Sequence, residues 1–219
     1  LRFGAGGLLH VVIAIISDLW DQETWFSDCH SCVGRCREVR AVSSYAKLLA
    51  QVGSAPRRID HVSAPVDRGE VLRYLGYPAA VEPNLHLREI LDEWMRKAAR
   101  RATPRAVYAV FRVTELRPRG MRLQTPAGEV EFHGAVGEFL GPSECIAAFI
   151  ATAGSGVERL ASELMQQGDH LAAMIVNAVG AERAESAEAM VIEQLREQAK
   201  EHAFIPTLPY SPGYCGMAL

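Results

Sequence analysis

Between Pro104 and Thr152 the hydrophobic pattern changes period, and that change dictates a sheet. Ala106 to Val113 (AVYAVFRV) is β-branched and aromatic and reads as a strand. Met121 to Gln124 and Glu129 to Phe132 alternate polar and apolar residues on either side of Thr125-Pro126-Ala127-Gly128. That is the pattern of an antiparallel hairpin with one wet face. Cys145 to Thr152 (CIAAFIAT) is apolar enough for a buried strand.

Helical repeats flank these strands. Glu70 to Leu75 is a short helical segment closed by Gly76, and Pro83-Asn84 opens a longer one. In the longer helix Leu87, Ile90, Leu91, Trp94, Met95 and Ala98 share a face, and Pro104 stops it. Arg96, Lys97, Arg100 and Arg101 crowd its C-terminal end, where cations suit the helix dipole or meet an acidic group. After Ala153-Gly154-Ser155-Gly156 a further helix turns Val157, Leu160, Ala161, Leu164 and Met165 inward. Gly168-Asp169 ends it and caps the next, Leu171 to Val179. A neighbour from about Glu182 to His202 carries Ala184, Ala187, Val191, Leu195 and Ala199 on one face, with Gly180 marking a break or a close crossing.

The chain ahead of Ile59 is less orderly. Gly7 to Ile16 (GLLHVVIAII) is too short to span a bilayer as a helix and lacks the flanks of a signal peptide, which leaves a buried strand or an added extension. Cys29, Cys32 and Cys36 form a C-x2-C-x3-C run. Thiolates so close suit zinc or an iron–sulfur cluster, but no second pair follows at zinc-finger spacing, and no metal site is assigned. Residues 41–52 suit one amphipathic helix, and Ser54-Ala55-Pro56-Arg57-Arg58 reads as a linker. We divide the chain into a leader, residues 1–58, and a globular domain, residues 59–219. The globular domain is expected to continue past Leu219.

Composition narrows the function classes. The 219 residues are 49% apolar and 22% charged, a globular mix. A net charge of −3 argues against a domain held mainly to nucleic-acid phosphates. Five cysteines, an odd count, do not make a disulfide framework, so a reducing, cytoplasmic setting is expected, with no membrane partner.

Three features carry possible chemistry. Strand, Ala153-Gly154-Ser155-Gly156, helix reads either as a phosphate cradle or as a tight turn, and it lacks the remaining residues of a dinucleotide or P-loop motif. Glu182, Glu185 and Glu188 recur every three residues, as a binding row or a wet face. Phe204 to Gly216 holds three prolines, two glycines and two tyrosines in 13 residues. Backbone groups in such a loop are available to a ligand, and Tyr210 and Tyr214 offer flat apolar faces with hydroxyls.

Several segments, in their order and spacing, resemble the activation domain of cobalamin-dependent methionine synthase, especially its stand-alone bacterial versions. They are Glu70-Val71-Leu72-Arg73-Tyr74-Leu75-Gly76-Tyr77, the strand from Ala106, Ala148 to Gly154, Val179 to Glu185, and Ser211-Pro212-Gly213-Tyr214-Cys215-Gly216. The resemblance covers about residues 59–219 and implies an α/β fold of the α+β type, a twisted antiparallel sheet with flanking helices, which agrees with the strands and helices read above. It implies S-adenosylmethionine as ligand and, as partners, a corrinoid-binding methyltransferase protein that carries cobalamin and an electron donor, a flavodoxin or an iron–sulfur protein. Inactive cobalamin would be reduced by one electron and remethylated from S-adenosylmethionine, making this chain a component of a methyltransferase. Its ligand contacts would fall on Tyr210, Ser211, Gly213 and Tyr214, and on a carboxylate matching Glu185, or its neighbours Glu182 or Glu188. The family's Arg two residues before the turn is Pro209 here, which removes a bidentate carboxylate clamp. The alternative is a docking module of a corrinoid system that has lost its ligand, or an enzyme holding another nucleotide at Ala153–Gly156.

Overall fold

The structure is a computed structural model that describes residues 9–18, 55–60, 65–78, 81–134, 143–201 and 204–206. The elements, in chain order, are β1 (Leu9–Asp18), β2 (Arg57–Ile59), α1 (Arg68–Tyr74), α2 (Leu85–Arg101), β3 (Arg105–Arg117), β4 (Gly120–Thr125), β5 (Gly128–His133), β6 (Ser143–Thr152), α3 (Ser155–Gln167), α4 (His170–Glu201) and β7 (Phe204–Pro206). They belong to two compact units. One draws mainly on Arg58–Val107 and Ile150–Met190, the other on Tyr108–Phe149, Val191–Leu219 and Val11–Arg57.

The first unit is helical. Its core gathers Val71 and Leu72 of α1, Leu91 and Ala98 of α2, Val157 and Leu164 of α3, and the run from Ala172 to Val179 of α4. Three of the helices start where a side chain satisfies a free N–H group, while α3, after Gly154, has no side-chain cap. Asp67 caps α1, Asn84 caps α2 through Leu87 N at 3.0 Å, and Asp169 accepts from Ala172 N at 3.1 Å. Gly168, at φ +82°, takes the left-handed position that closes α3. Met165 departs from its expected inward place and is 52% exposed. It lies in the last turn of α3, beyond the packed face, with its sulfur 3.5 Å from His170 Nδ1.

α4 is one helix from His170 to Glu201, not two. Gly180 makes no break. It is a close approach, since a Cβ there would stand 3.1 Å from Val157 Cγ1. The face read from the sequence holds throughout: Ala184, Ala187, Val191, Leu195 and Ala199 are all buried.

The strands form a seven-stranded sheet in the order β5-β4-β3-β6-β1-β7, with β2 paired to β3. β3–β4, β4–β5 and β1–β7 run antiparallel. The predicted hairpin is β4–β5, where Thr125 Oγ1 closes the turn by donating to Gly128 O at 2.6 Å. A bulge between Val113 and Glu115 leaves Thr114 outside the ladder. In the second unit Met121, Leu123 and Ile146 form a buried cluster against which Phe111, Val113, Leu116 and Phe132 pack. Arg57 and Arg58, expected in a linker, are in β2, which pairs with β3.

Candidate functional site

The site is built on a buried ion pair. Glu182 and Arg183 are 3% and 4% exposed, so Glu182 belongs to the interior and not to a wet face or a binding row. The reason is its neighbour: Arg183 Nε and Nη2 each donate to a Glu182 oxygen at 2.6 Å. Ser186 Oγ adds a bond to Glu182 Oε1 at 2.9 Å.

The pair holds the segment that starts α1. Arg183 Nη2 donates to Pro65 O at 2.8 Å, and Asp67 N donates to Glu182 Oε1 at 3.2 Å. Asp67 in turn caps α1, its Oδ1 accepting from Gly69 N at 2.7 Å and Glu70 N at 3.2 Å. Arg68 of α1 pairs with Asp92 of α2. The position and start of this two-turn helix are thus set from both sides.

α1 buries Val71 and Leu72 and turns Arg73 and Tyr74 toward Glu185 of α4. Tyr74 donates its hydroxyl hydrogen to Glu185 Oε1. Arg73 Nη2 stands 3.4 Å from Glu185 Oε2, while its Nε donates to Glu70 Oε2 at 2.7 Å and its guanidinium lies 4.4 Å from the Tyr74 ring centre. The Tyr74 phenol is pushed up to about 12 by burial and by the Glu185 carboxylate it bonds. The Arg73 guanidinium is raised chiefly by its bond to Glu70. The Glu185 side chain is 39% exposed and has its second oxygen only loosely held by Arg73. Two motifs far apart in sequence, one with Arg73 and Tyr74 and one with Glu185, therefore meet at a single carboxylate.

Of the residues expected to bind a ligand, Glu185 is in this cluster. Tyr210, Ser211, Gly213 and Tyr214, with Pro209, lie outside the described residues, as do Cys29, Cys32 and Cys36. Arg73 and Tyr74 were not singled out from sequence as site residues. The signal was an exposed cation and phenol beside two buried apolar residues on a short helix. Among the described residues no group of three or more His, Cys, Asp or Glu is placed to hold a metal ion.

The glycine loop packs closely against the end of α2. A Cβ at Gly154 would stand 2.2 Å from Thr103 Oγ1, and one at Gly156 2.3 Å from Arg101 O. The missing side chains make room for the end of α2, and Thr103 N donates to Ala153 O at 2.8 Å.

No family model matches the sequence, and no curated protein matches it. A crystal structure of the MetH reactivation domain bound to AdoHcy matches the fold with a TM-score of 0.52 at 13% identity. The match covers 67% of this chain and 57% of that one, so the chain spans little more than half of the structure it resembles. The fold is thus similar to that of the MetH reactivation domain, an antiparallel sheet with flanking helices. Among the described residues no helix is long and apolar enough to cross a membrane.

Proposed function

We propose that this chain binds S-adenosylmethionine and supports reductive remethylation of cobalamin carried by a partner, a corrinoid-dependent methyltransferase such as methionine synthase. The observation that carries this reading is the meeting of Arg73, Tyr74 and Glu185, from two of the segments that resemble the activation domain, within a chain of that fold. The solved neighbour holds AdoHcy, which is S-adenosylmethionine without its methyl group.

The residues fit such a ligand. Glu185 offers an anionic oxygen to an ammonium group, and Tyr74 fixes the carboxylate in place. When bound, S-adenosylmethionine supplies a methyl group on a sulfonium, which leaves without help from an acid or base. The chain's part is then to bind and orient. Glu185 would take the amino group, and Ser211, Gly213 and Tyr214 would line the rest through backbone groups and a ring. The partners in this reading are the corrinoid protein and a one-electron donor, a flavodoxin or an iron–sulfur protein, all in the cytoplasm. Pro209 favours a second reading, a docking module of a corrinoid system without ligand binding.

Calorimetric titration of S-adenosylmethionine into the full chain separates the two. Micromolar affinity that weakens in Tyr214→Ala and Glu185→Ala supports binding. Absence of heat at millimolar ligand, from protein with a cooperative thermal transition, leaves the docking module.

A further inference from the structure

We infer that Arg73 is the residue that reads the ligand's carboxylate, so that Arg73 and Glu185 together select an α-amino-acid end group. This rests on the reading that the ligand is S-adenosylmethionine, and it assigns a specificity residue within that site. An α-amino acid presents an ammonium and a carboxylate on one carbon, and recognising both takes an anion beside a cation. The structure holds that couple, with Arg73 Nη2 3.4 Å from Glu185 Oε2.

Each member is tied down by other bonds, so the couple exists before any ligand arrives. Tyr74 holds Glu185, while Glu70 and the Tyr74 ring hold Arg73. The mutual contact of Arg73 and Glu185 is the longest of these bonds and the easiest to exchange. A guanidinium has five N–H donors. Its Nε and Nη2 meet Glu70 and Glu185. The Arg73 side chain is 55% exposed, which leaves room for a carboxylate. The charges also match. Glu70, Arg73 and Glu185 leave one negative charge in excess, and S-adenosylmethionine, a sulfonium with a zwitterionic end, has one positive charge in excess.

The test compares S-adenosylmethionine with its decarboxylated analogue, which keeps the sulfonium and the amine. Both are titrated into the full chain and into Arg73→Gln and Arg73→Lys. The unaltered protein should prefer S-adenosylmethionine by about tenfold or more, the worth of a charge-assisted hydrogen bond. Arg73→Gln should weaken S-adenosylmethionine by about ten- to a hundredfold and leave the analogue within about threefold, erasing the preference. Arg73→Lys should keep part of it.

If the preference survives Arg73→Gln, or both ligands weaken equally, the assignment of Arg73 is overturned while the ligand stands. The same follows if the unaltered protein binds both ligands alike. If the folded protein binds neither, the ligand reading falls and takes Arg73 with it. Matching thermal transitions would show that the variants are folded.

Discussion

Tyr74 donates its hydroxyl hydrogen to Glu185, a residue 111 positions further along the chain. The bond joins the last residue of α1 to the middle of α4. Tyr74→Phe removes it without emptying the ring's place. Urea denaturation should show a loss of about 0.5–1.5 kcal/mol. In the same variant, affinity for S-adenosylmethionine should fall, because the carboxylate is no longer fixed.

The same bond has a signature at high pH. The ordinary tyrosine value is 10.0, and Tyr74 is pushed up to about 12. The folded chain thus holds this proton more tightly than the unfolded chain. Its contribution to stability is whole below about pH 10 and is lost as pH rises toward about 12. Stability measured across that window should fall more steeply in the unaltered protein than in Tyr74→Phe, and phenolate absorbance should show one late-titrating tyrosine that the variant lacks.

Removing one partner of the Glu182–Arg183 pair strands a buried charge. Arg183→Leu should cost about 3–5 kcal/mol by chemical denaturation. Replacing both residues with leucine should cost less than that single change, since no charge is then left unpaired. A double variant as unstable as Arg183→Leu would show that the bonds to Pro65 and Asp67, not the charge, dominate.

Two glycines should answer differently to alanine. Gly156→Ala drives a methyl group against the Arg101 carbonyl and should cost about 1–3 kcal/mol in a thermal melt. Gly180→Ala gains about 1 kcal/mol of helix propensity but presses on Val157. It should be near neutral alone and stabilising in a Val157→Ala background.

Cys145 is 1% exposed, and burial, aided by Glu144, pushes its thiol up to about 11. Iodoacetamide near pH 8 followed by peptide mapping should leave Cys145 unmodified in the native protein and label it after unfolding.

Local rules made much of this fold legible. Asn84 and Asp169 announced helix starts, Gly168 a helix end, and Thr125 to Gly128 a hairpin, because each acts on its own few neighbours. The buried face from Ala184 to Ala199 followed from periodicity alone. What stayed hidden depended on distant partners. Glu182 looks like Glu185 in a period-three row, yet its burial follows from Arg183 and from the arrival of Asp67, 115 residues away. Gly180 reads as a break or a crossing until Val157 is placed beside it. Of the candidate site, Glu185 was singled out through the family resemblance. Arg73 and Tyr74 were not, since nothing local pairs α1 with α4.

The place of β1 has a consequence for synthesis. β1 is made before the other described strands, yet in the finished sheet it lies between β6 and β7, with Ile16 opposite Pro206. On the ribosome, an apolar segment rich in valine and isoleucine must therefore wait for its hydrogen-bonding neighbours until Ser143–Thr152 and Phe204–Pro206 have been made. Such a wait exposes the newborn chain to aggregation and makes the yield of folded protein sensitive to chaperones and to the rate of elongation.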